Sequence, residues 1–478
     1  MRGRMMMSRA AFDFDVVVLG AGPGGVAAAT SAALKGLKVA LISARWLMGY
    51  GLEGAYKSKT MFELAREFQR VQTRWKGAIQ GAKVDLANLR TVNDAGAERL
   101  RQVQRQQLAG MGVTLLEGHG RLVDPHTVEV GAQRVTGAFL IVATGTRPRC
   151  LPGVEPDAHN ILTSDEVVSV DRPLRSLLVM GAGVIGCEFA AIFAAIGAEV
   201  TLIDSQPRIL NHDDDDVSAF ITHAMARLGV RVIRGARTHS MICVGDEVHT
   251  VLQDGQRFVT DAALLAIGRL PNTEGIGLEA VGLATDARGY IPVSDAMQSA
   301  VPHIYAVGDV GQRQTPNDMA LVHVAEAEGR AAVSHILGER VSLSEAHVPF
   351  IIFTLPMVAG AGYTEREARA KFGDGVRVGK FAHVRNPRAH AMSSIDGFVK
   401  LIVGPPGDDR ILGARAVGEG VDVIVGQVSV MIEHGLPYTH LLHAIHAHPS
   451  LCESLQGAAM ILAGEKPPYL PGEELTVP

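Results

Sequence analysis

An α/β fold with two Rossmann-like units and a C-terminal α+β domain is predicted by three observations. At residues 15–35 a short apolar strand, DVVVL, runs into the turn GAGPGG and then an alanine-rich helix. The same design recurs at 176–188 as SLLVMGAGVIGCE. From Val348 onward, strand and helix patterns alternate with no glycine fingerprint, which reads as a separate α+β domain.

The first fingerprint has Gly20, Gly22 and Gly25 at the G-x-G-x-x-G spacing. Gly20 lets the chain turn sharply, Gly22 removes a Cβ that would block a pyrophosphate, and Gly25 lets helix and strand pack closely. The helix N-terminus then offers N–H groups and partial positive charge to the phosphates. Residues 37–43 (LKVALIS) predict the next strand, where an acid normally binds the ribose hydroxyls; Ser43 stands there, so a weaker neutral hydrogen bond replaces that anchor. Residues 45–57 predict a loop that becomes helix near Ser58, and 61–110 predict two long polar helices joined around 83–88. Residues 113–116, 120–123 and 127–130 predict short antiparallel strands. The buried strand 139–142 ends in Ala143-Thr144-Gly145, where glycine permits close approach of a ligand.

The second fingerprint has Gly181, Gly183 and Gly186, and its second strand, 199–204, ends in Asp204. That acid favours an unphosphorylated ribose and so NAD(H) over NADP(H), while Arg208 nearby keeps a 2′-phosphate open. The acidic run 213–216 predicts a solvated loop, because successive side chains point in different directions and suit a metal poorly. Residues 263–271 (ALLAIGRLP) repeat the strand-then-glycine design at Gly268. A third such strand, HIYAVGDV at 303–310, ends in Gly308-Asp309, and an alanine-rich helix is expected at 318–337. Strands are then expected at 348–354, 376–384, 397–403 and 411–418, with helices from Val421 and His440.

Composition narrows the class. The length of 478 residues suits about three domains. A net charge of −5 gives no reason to expect nucleic acid or an anionic membrane as partner. Four scattered cysteines (Cys150, Cys187, Cys243, Cys452) argue against a disulfide framework or zinc site. No apolar run of about 18 residues suggests a membrane span, and the charged start at 1–14 does not resemble a signal peptide, so a soluble cytoplasmic protein is expected.

Taken in order, GAGPGG at 20–25, ATGTRP at 143–148, GAGVIGCE at 181–188, AIGRLPN at 266–272, YAVGDV at 305–310 and HAHPSLCE at 446–453 resemble the flavoprotein disulfide reductase family. The branch they are most similar to holds dihydrolipoyl dehydrogenase and soluble pyridine nucleotide transhydrogenase. The resemblance implies an FAD-binding domain in two parts (1–151 and 271–345), an inserted NAD(P)-binding domain (152–270) and a C-terminal dimerisation domain (346–478). It implies a homodimer, with Asp309 bonding FAD, Glu188 pairing with Lys59 beside the flavin, and His448 and Glu453 forming a dyad that reaches the partner subunit's flavin.

The chain departs from the family where two cysteines belong. Aligned on Ser58-Lys59, Tyr50 and Ala55 stand at the sulfur positions, so dithiol exchange by the family route is impossible. Tyr50 and Tyr56 are candidates to fill the vacated space, and Glu53 has no assignable role. In the dyad, the carboxylate would fix one imidazole nitrogen and raise the basicity of the other, which suits a general acid–base; a purely structural pair at the dimer interface is the alternative. Cys187 and Cys452 read as packing residues, and His446 and His448 gather no further ligands for a metal. The expected function is an FAD-dependent NAD(P)H oxidoreductase that passes electrons to a small non-disulfide acceptor: a second nicotinamide, a quinone or a dye. A divergent dihydrolipoyl dehydrogenase and a non-catalytic nucleotide-binding relative are the alternatives.

Overall fold

The computed structural model describes residues 11–45, 47–313, 320–341, 343 and 348–467. The charged start at 1–14 and the helix expected from Asp318 lie partly outside the described residues. The chain forms two compact units, one of residues 1–58, 87–149 and 268–345, the other of 59–86, 150–267 and 346–478.

In the first unit, β1 (Phe14–Leu19) carries Val16, Val17 and Val18, all fully buried, as a strand covered on both faces requires. The helix Pro23–Leu34 follows, then β2 (Val39–Ser43), parallel to β1. The segment expected as loop is instead helical from Gly51, as one π turn (Gly51–Tyr56) that continues into the helix Lys57–Thr73. The connection expected near 83–88 ends earlier, because the helix Leu86–Gly110 already begins at Leu86. That helix feeds β3 (Thr114–Glu117), which pairs with β2 in parallel. The antiparallel expectation for this strand is therefore corrected: a long crossover helix brings the chain back before the strand begins, so it runs with β2. Next, β4 (Gly120–Asp124) and β5 (Thr127–Val130) are antiparallel, and β6 (Gln133–Val142) leaves β5 to run parallel with β1. The sheet order is β3-β2-β1-β6-β5-β4, with the strand Ile304–Ala306 also paired to β6. The helix Val322–Ile336 packs on Pro23–Leu34 so closely that a Cβ at Gly329 would lie 2.3 Å from the Gly24 carbonyl.

The second unit contains a five-stranded parallel sheet, in the order Arg231–Arg234, Glu199–Asp204, Ser176–Met180, Ala262–Leu265, Ile161–Thr163. A three-stranded antiparallel meander follows its second helix. The C-terminal portion is a five-stranded antiparallel sheet, in the order Phe350–Ile352, Met357–Gly362, Ile411–Gly418, Phe398–Val403, Arg377–Ala382. The strand Met357–Gly362 and the helix Glu453–Leu462 were not expected from sequence; the first reads MVAGAG, too rich in glycine and alanine to signal a strand, yet it is almost wholly buried.

The acidic run is not a solvated loop. Lys400 and Arg415 lie directly opposite each other on neighbouring strands, both almost fully buried. Two buried cations side by side demand counter-ions, and the acids supply them. Arg415 Nε meets Asp213 Oδ1 at 2.6 Å, and Lys400 Nζ lies 2.8 Å from both Asp214 Oδ2 and Asp216 Oδ1. Asp214 Oδ1 also accepts from the Glu365 N–H at 2.9 Å, and Asp213 and Asp214 are only 7% and 5% exposed. Arg415→Met would leave Asp213 buried without its cation and should cost about 3–5 kcal/mol. Thermal unfolding should show a clear fall in apparent Tm for this variant, largely restored when Asp213→Leu is added.

Candidate functional site

The first fingerprint turn is shaped by exclusion of side chains. At Gly20 φ is +113°, and a Cβ there would sit 2.3 Å from the Ala143 carbonyl. A Cβ at Gly25 would lie 1.9 Å from the Gly20 carbonyl. Over Gly22, by contrast, no atom of the described residues lies within 4 Å of where a Cβ would stand, and no side chain among them caps the helix that starts at Pro23. Open space over uncapped N–H groups fits a pyrophosphate. Ser43, at the end of β2, is buried. Thr144 and Asn272 bond each other: Thr144 Oγ1 donates to the Asn272 carbonyl at 2.8 Å, and Asn272 Nδ2 donates to the Thr144 carbonyl at 2.9 Å. Gly145, at φ +66°, has open space around it. Asp309 accepts from Thr146 Oγ1 at 3.1 Å, and that hydroxyl accepts in turn from Arg269 Nε at 2.8 Å. Burial pushes the Asp309 carboxyl up from the ordinary range, against the opposing pull of Arg269 and Thr146.

The second turn repeats these contacts. A Cβ at Gly181 (φ +99°) would lie 2.2 Å from the Ala266 carbonyl, and one at Gly186 would lie 1.7 Å from the Gly181 carbonyl. Gly183 and Gly268 both border open space. Asp204 ends its strand and accepts from the backbone N–H of Gln206 at 2.7 Å and from that of Ala182. Arg208 is ion-paired with Asp215. The residues of both turns therefore fit dinucleotides, with a carboxylate at the ribose position of the second turn alone.

The segment that lacks cysteines packs on the first turn. A Cβ at Gly49 (φ +47°) would approach Gly22 Cα to 3.2 Å, and one at Gly51 would approach Pro23 Cγ to 3.0 Å. The Arg269 guanidinium stands 5.1 Å from the centre of the Tyr50 ring. Tyr56 turns to the helix Leu86–Gly110, where a Cβ at Gly96 would lie 2.1 Å from its hydroxyl. The two tyrosines thus have different neighbours. Glu53, without a role in the sequence, is the centre of a charge cluster: Lys57 Nζ lies 2.7 Å from Glu53 and 2.6 Å from Asp94, and Arg101 also pairs with Glu53. Its i, i+4 spacing to Lys57 was the only signal available from sequence. All four cysteines are free, and burial pushes each thiol above its ordinary range.

In the second unit, Lys59 Nζ meets Glu188 Oε2 at 3.0 Å. The Phe353 N–H donates to Glu188 Oε1 at 2.9 Å, and Lys59 Nζ lies 4.6 Å from the centre of the Phe353 ring. Phe353 carries no sequence signal for this contact. His448 Nδ1 lies 2.9 Å from Glu453 Oε1, and the Ser450 N–H donates to Glu453 Oε2 at 2.7 Å. His446 Nε2 bonds the Leu441 carbonyl at 3.0 Å, and no cluster of metal-ligating side chains occurs among the described residues.

Comparison with known proteins gives a consistent match. The family model described as pyridine nucleotide-disulphide oxidoreductase covers residues 14–329, and that of its dimerisation domain covers 348–459. A dihydrolipoyl dehydrogenase of Chlamydia muridarum is 33% identical over 96% of this chain and 98% of its own length. One from Thermus scotoductus is 33% identical over 94% and 97%. Among solved structures, LpdA from Mycobacterium tuberculosis matches with a TM-score of 0.86 at 28% identity, covering 94% of this chain and 99% of its own.

The structure brings together Lys59 with Glu188, His448 with Glu453, and Asp309 with Thr146 and Arg269. Glu188→Gln retains an acceptor for the Phe353 N–H, whereas Glu188→Ala orphans it. Losing a buried acceptor costs about 1–3 kcal/mol beyond the ion pair, so Glu188→Ala should melt clearly below Glu188→Gln in thermal unfolding.

Proposed function

This chain belongs to the pyridine nucleotide-disulphide oxidoreductase family, and we propose that within it the chain is an FAD-dependent NAD(P)H oxidoreductase delivering electrons to a small non-disulfide acceptor. The observation that carries this reading is the segment 50–57: Tyr50 and Ala55 stand where the family has sulfurs, on a helical turn tied by Glu53, Lys57 and Arg101. A disulfide cannot form there, and the chain's four thiols are raised away from the reactive thiolate. Bound FAD would supply the hydride acceptor and the onward electron donor.

The chain's own residues bind, orient and handle protons. Gly20, Gly22 and Gly25 admit the FAD pyrophosphate to the helix N-terminus, with Asp309, Thr144 and Gly145 completing that site. Gly181, Gly183 and Gly186 do the same for the nicotinamide nucleotide. Asp204 favours NADH, and the Arg208–Asp215 pair supports this by occupying the nearby guanidinium. Lys59, held by Glu188, tunes the flavin's electron affinity as the resemblance implies. Glu453 fixes His448 through Nδ1, and the imidazole so held exchanges a proton with the acceptor. The exposed stretch around Ile445, 101% exposed in the single chain, supports a homodimer formed through the dimerisation domain. A second nicotinamide or a quinone needs no cysteine and suits this arrangement. The relatives named dihydrolipoyl dehydrogenase favour a second reading, in which that activity survives in divergent form and requires a thiol from elsewhere.

Anaerobic stopped-flow absorbance with NADH, and separately with NADPH, tests the proposal. Rapid loss of the flavin band with NADH, without long-wavelength absorbance, is expected. A colourless protein, or one that neither nucleotide reduces, would overturn the proposal in favour of a non-catalytic nucleotide binder. Asp204→Ala should raise KM for NADH about tenfold with kcat nearly unchanged, the pattern for loss of uniform binding. A variant with all four cysteines replaced should keep its turnover with quinone or nicotinamide acceptors; dihydrolipoamide oxidation that disappears in this variant would establish the second reading instead.

A further inference from the structure

The sequence singles out His448 and Glu453, but the loop that carries them is tied down from far away in the chain. Asn386 is 1% exposed, and all four hydrogen-bonding capacities of its amide are used. Its Oδ1 accepts from the Arg388 N–H at 2.8 Å and the Ala389 N–H at 3.4 Å, capping the short helix Pro387–Ala391. Its Nδ2 donates to the Ser450 carbonyl at 3.0 Å and to Ser454 Oγ at 2.9 Å.

These two acceptors bracket Glu453. Ser450 is the residue whose N–H holds Glu453 Oε2, and Ser454 follows Glu453 in the chain. Ser454, fully buried, also meets His383 Nδ1 at 3.2 Å. Burial pushes the His383 imidazole down to about 4, so it is neutral at physiological pH, and its Nδ1 shares a hydrogen bond with the Ser454 hydroxyl, which accepts from Asn386 Nδ2. Hydrogen bonds linked in series in this way rigidify what they touch. Ionisable groups near the dyad include Arg385, which lines a pocket with Asn386 and Glu453, the neutral His383, His446, which is bonded to the Leu441 carbonyl, and Cys452, whose thiol burial pushes up.

We propose that Asn386 is a positioning residue for the His448–Glu453 dyad, fixing Glu453 through Ser450 and Ser454 so that its second oxygen stays on His448 Nδ1. This rests on the reading of the dyad as the general acid–base. Without the Asn386 donors, the Ser450 peptide is free to rotate away from Glu453, and the carboxylate loses the contact that aims its other oxygen at the imidazole.

Asn386→Ser tests this in the FAD-loaded protein, because serine still caps a helix but is too short to reach Ser450 and Ser454. Reduction by NADH in single turnover should be unchanged. Acceptor turnover should fall about tenfold as His448 loses its carboxylate. In protein carrying ring-15N histidine, the His448 Nδ1–H resonance should move upfield. Ser454→Ala, which removes one of the two anchors, should shift the same resonance less, and it carries the test if Asn386→Ser does not fold. An unmoved resonance and unchanged acceptor turnover in a folded variant overturn the proposal. The resonance also separates the two ideas: if His448→Gln leaves acceptor turnover unchanged, the catalytic reading of the dyad fails, while a moved resonance in Asn386→Ser still establishes the positioning.

Discussion

The structure depends first on a steric constraint: backbone meets backbone at the two fingerprint turns. A single methyl group at Gly25 or Gly186 would sit within 2 Å of a carbonyl oxygen of the preceding turn. That closeness brings each helix N-terminus over the end of its strand, and it leaves the space above Gly22 and Gly183 clear. A phosphate site needs both halves of this arrangement, the close contact behind and the open face in front. The strands Ile304–Ala306 and Ala262–Leu265 then extend the two sheets beside these turns, which is how the sequence-distant Asp309 comes to lie with Thr146 and how Gly268 follows the second sheet.

Buried charge is the second organising force. Lys400 and Arg415 are neighbours across two strands of a buried sheet, a costly juxtaposition unless each finds a carboxylate. Asp213, Asp214 and Asp216 provide those partners, so a run that looks like a solvated loop in sequence is one side of a buried ion network. On the first unit, the turn 51–56 shows the same economy on a smaller scale. There Glu53, Lys57, Asp94 and Arg101 tie the turn to the helix Leu86–Gly110 by charge.

The dyad loop adds a third kind of support, built from neutral hydrogen bonds. Asn386, Ser454 and His383 carry no net charge at physiological pH, yet they link a helix cap, a strand end and the loop bearing His448.

The sequence alone determined the fold class, both glycine turns, Asp204 at the end of its strand and the absence of cysteine from 47–58. Each of these is local: apolar runs, glycine spacing and residue identity within a short stretch are enough to state them. It also paired Lys59 with Glu188 and His448 with Glu453 by resemblance. The direction of β3, the helical nature of 51–56, the burial of the acidic run, and the parts played by Glu53, Phe353 and Asn386 were decided only by the tertiary structure. All of them turn on contacts between residues far apart in the chain or on local energies that nearly balance. Asp213 cannot be called buried until Arg415 stands beside it, and Asn386 reads as an ordinary cap until Ser450 and Ser454 fold against its amide.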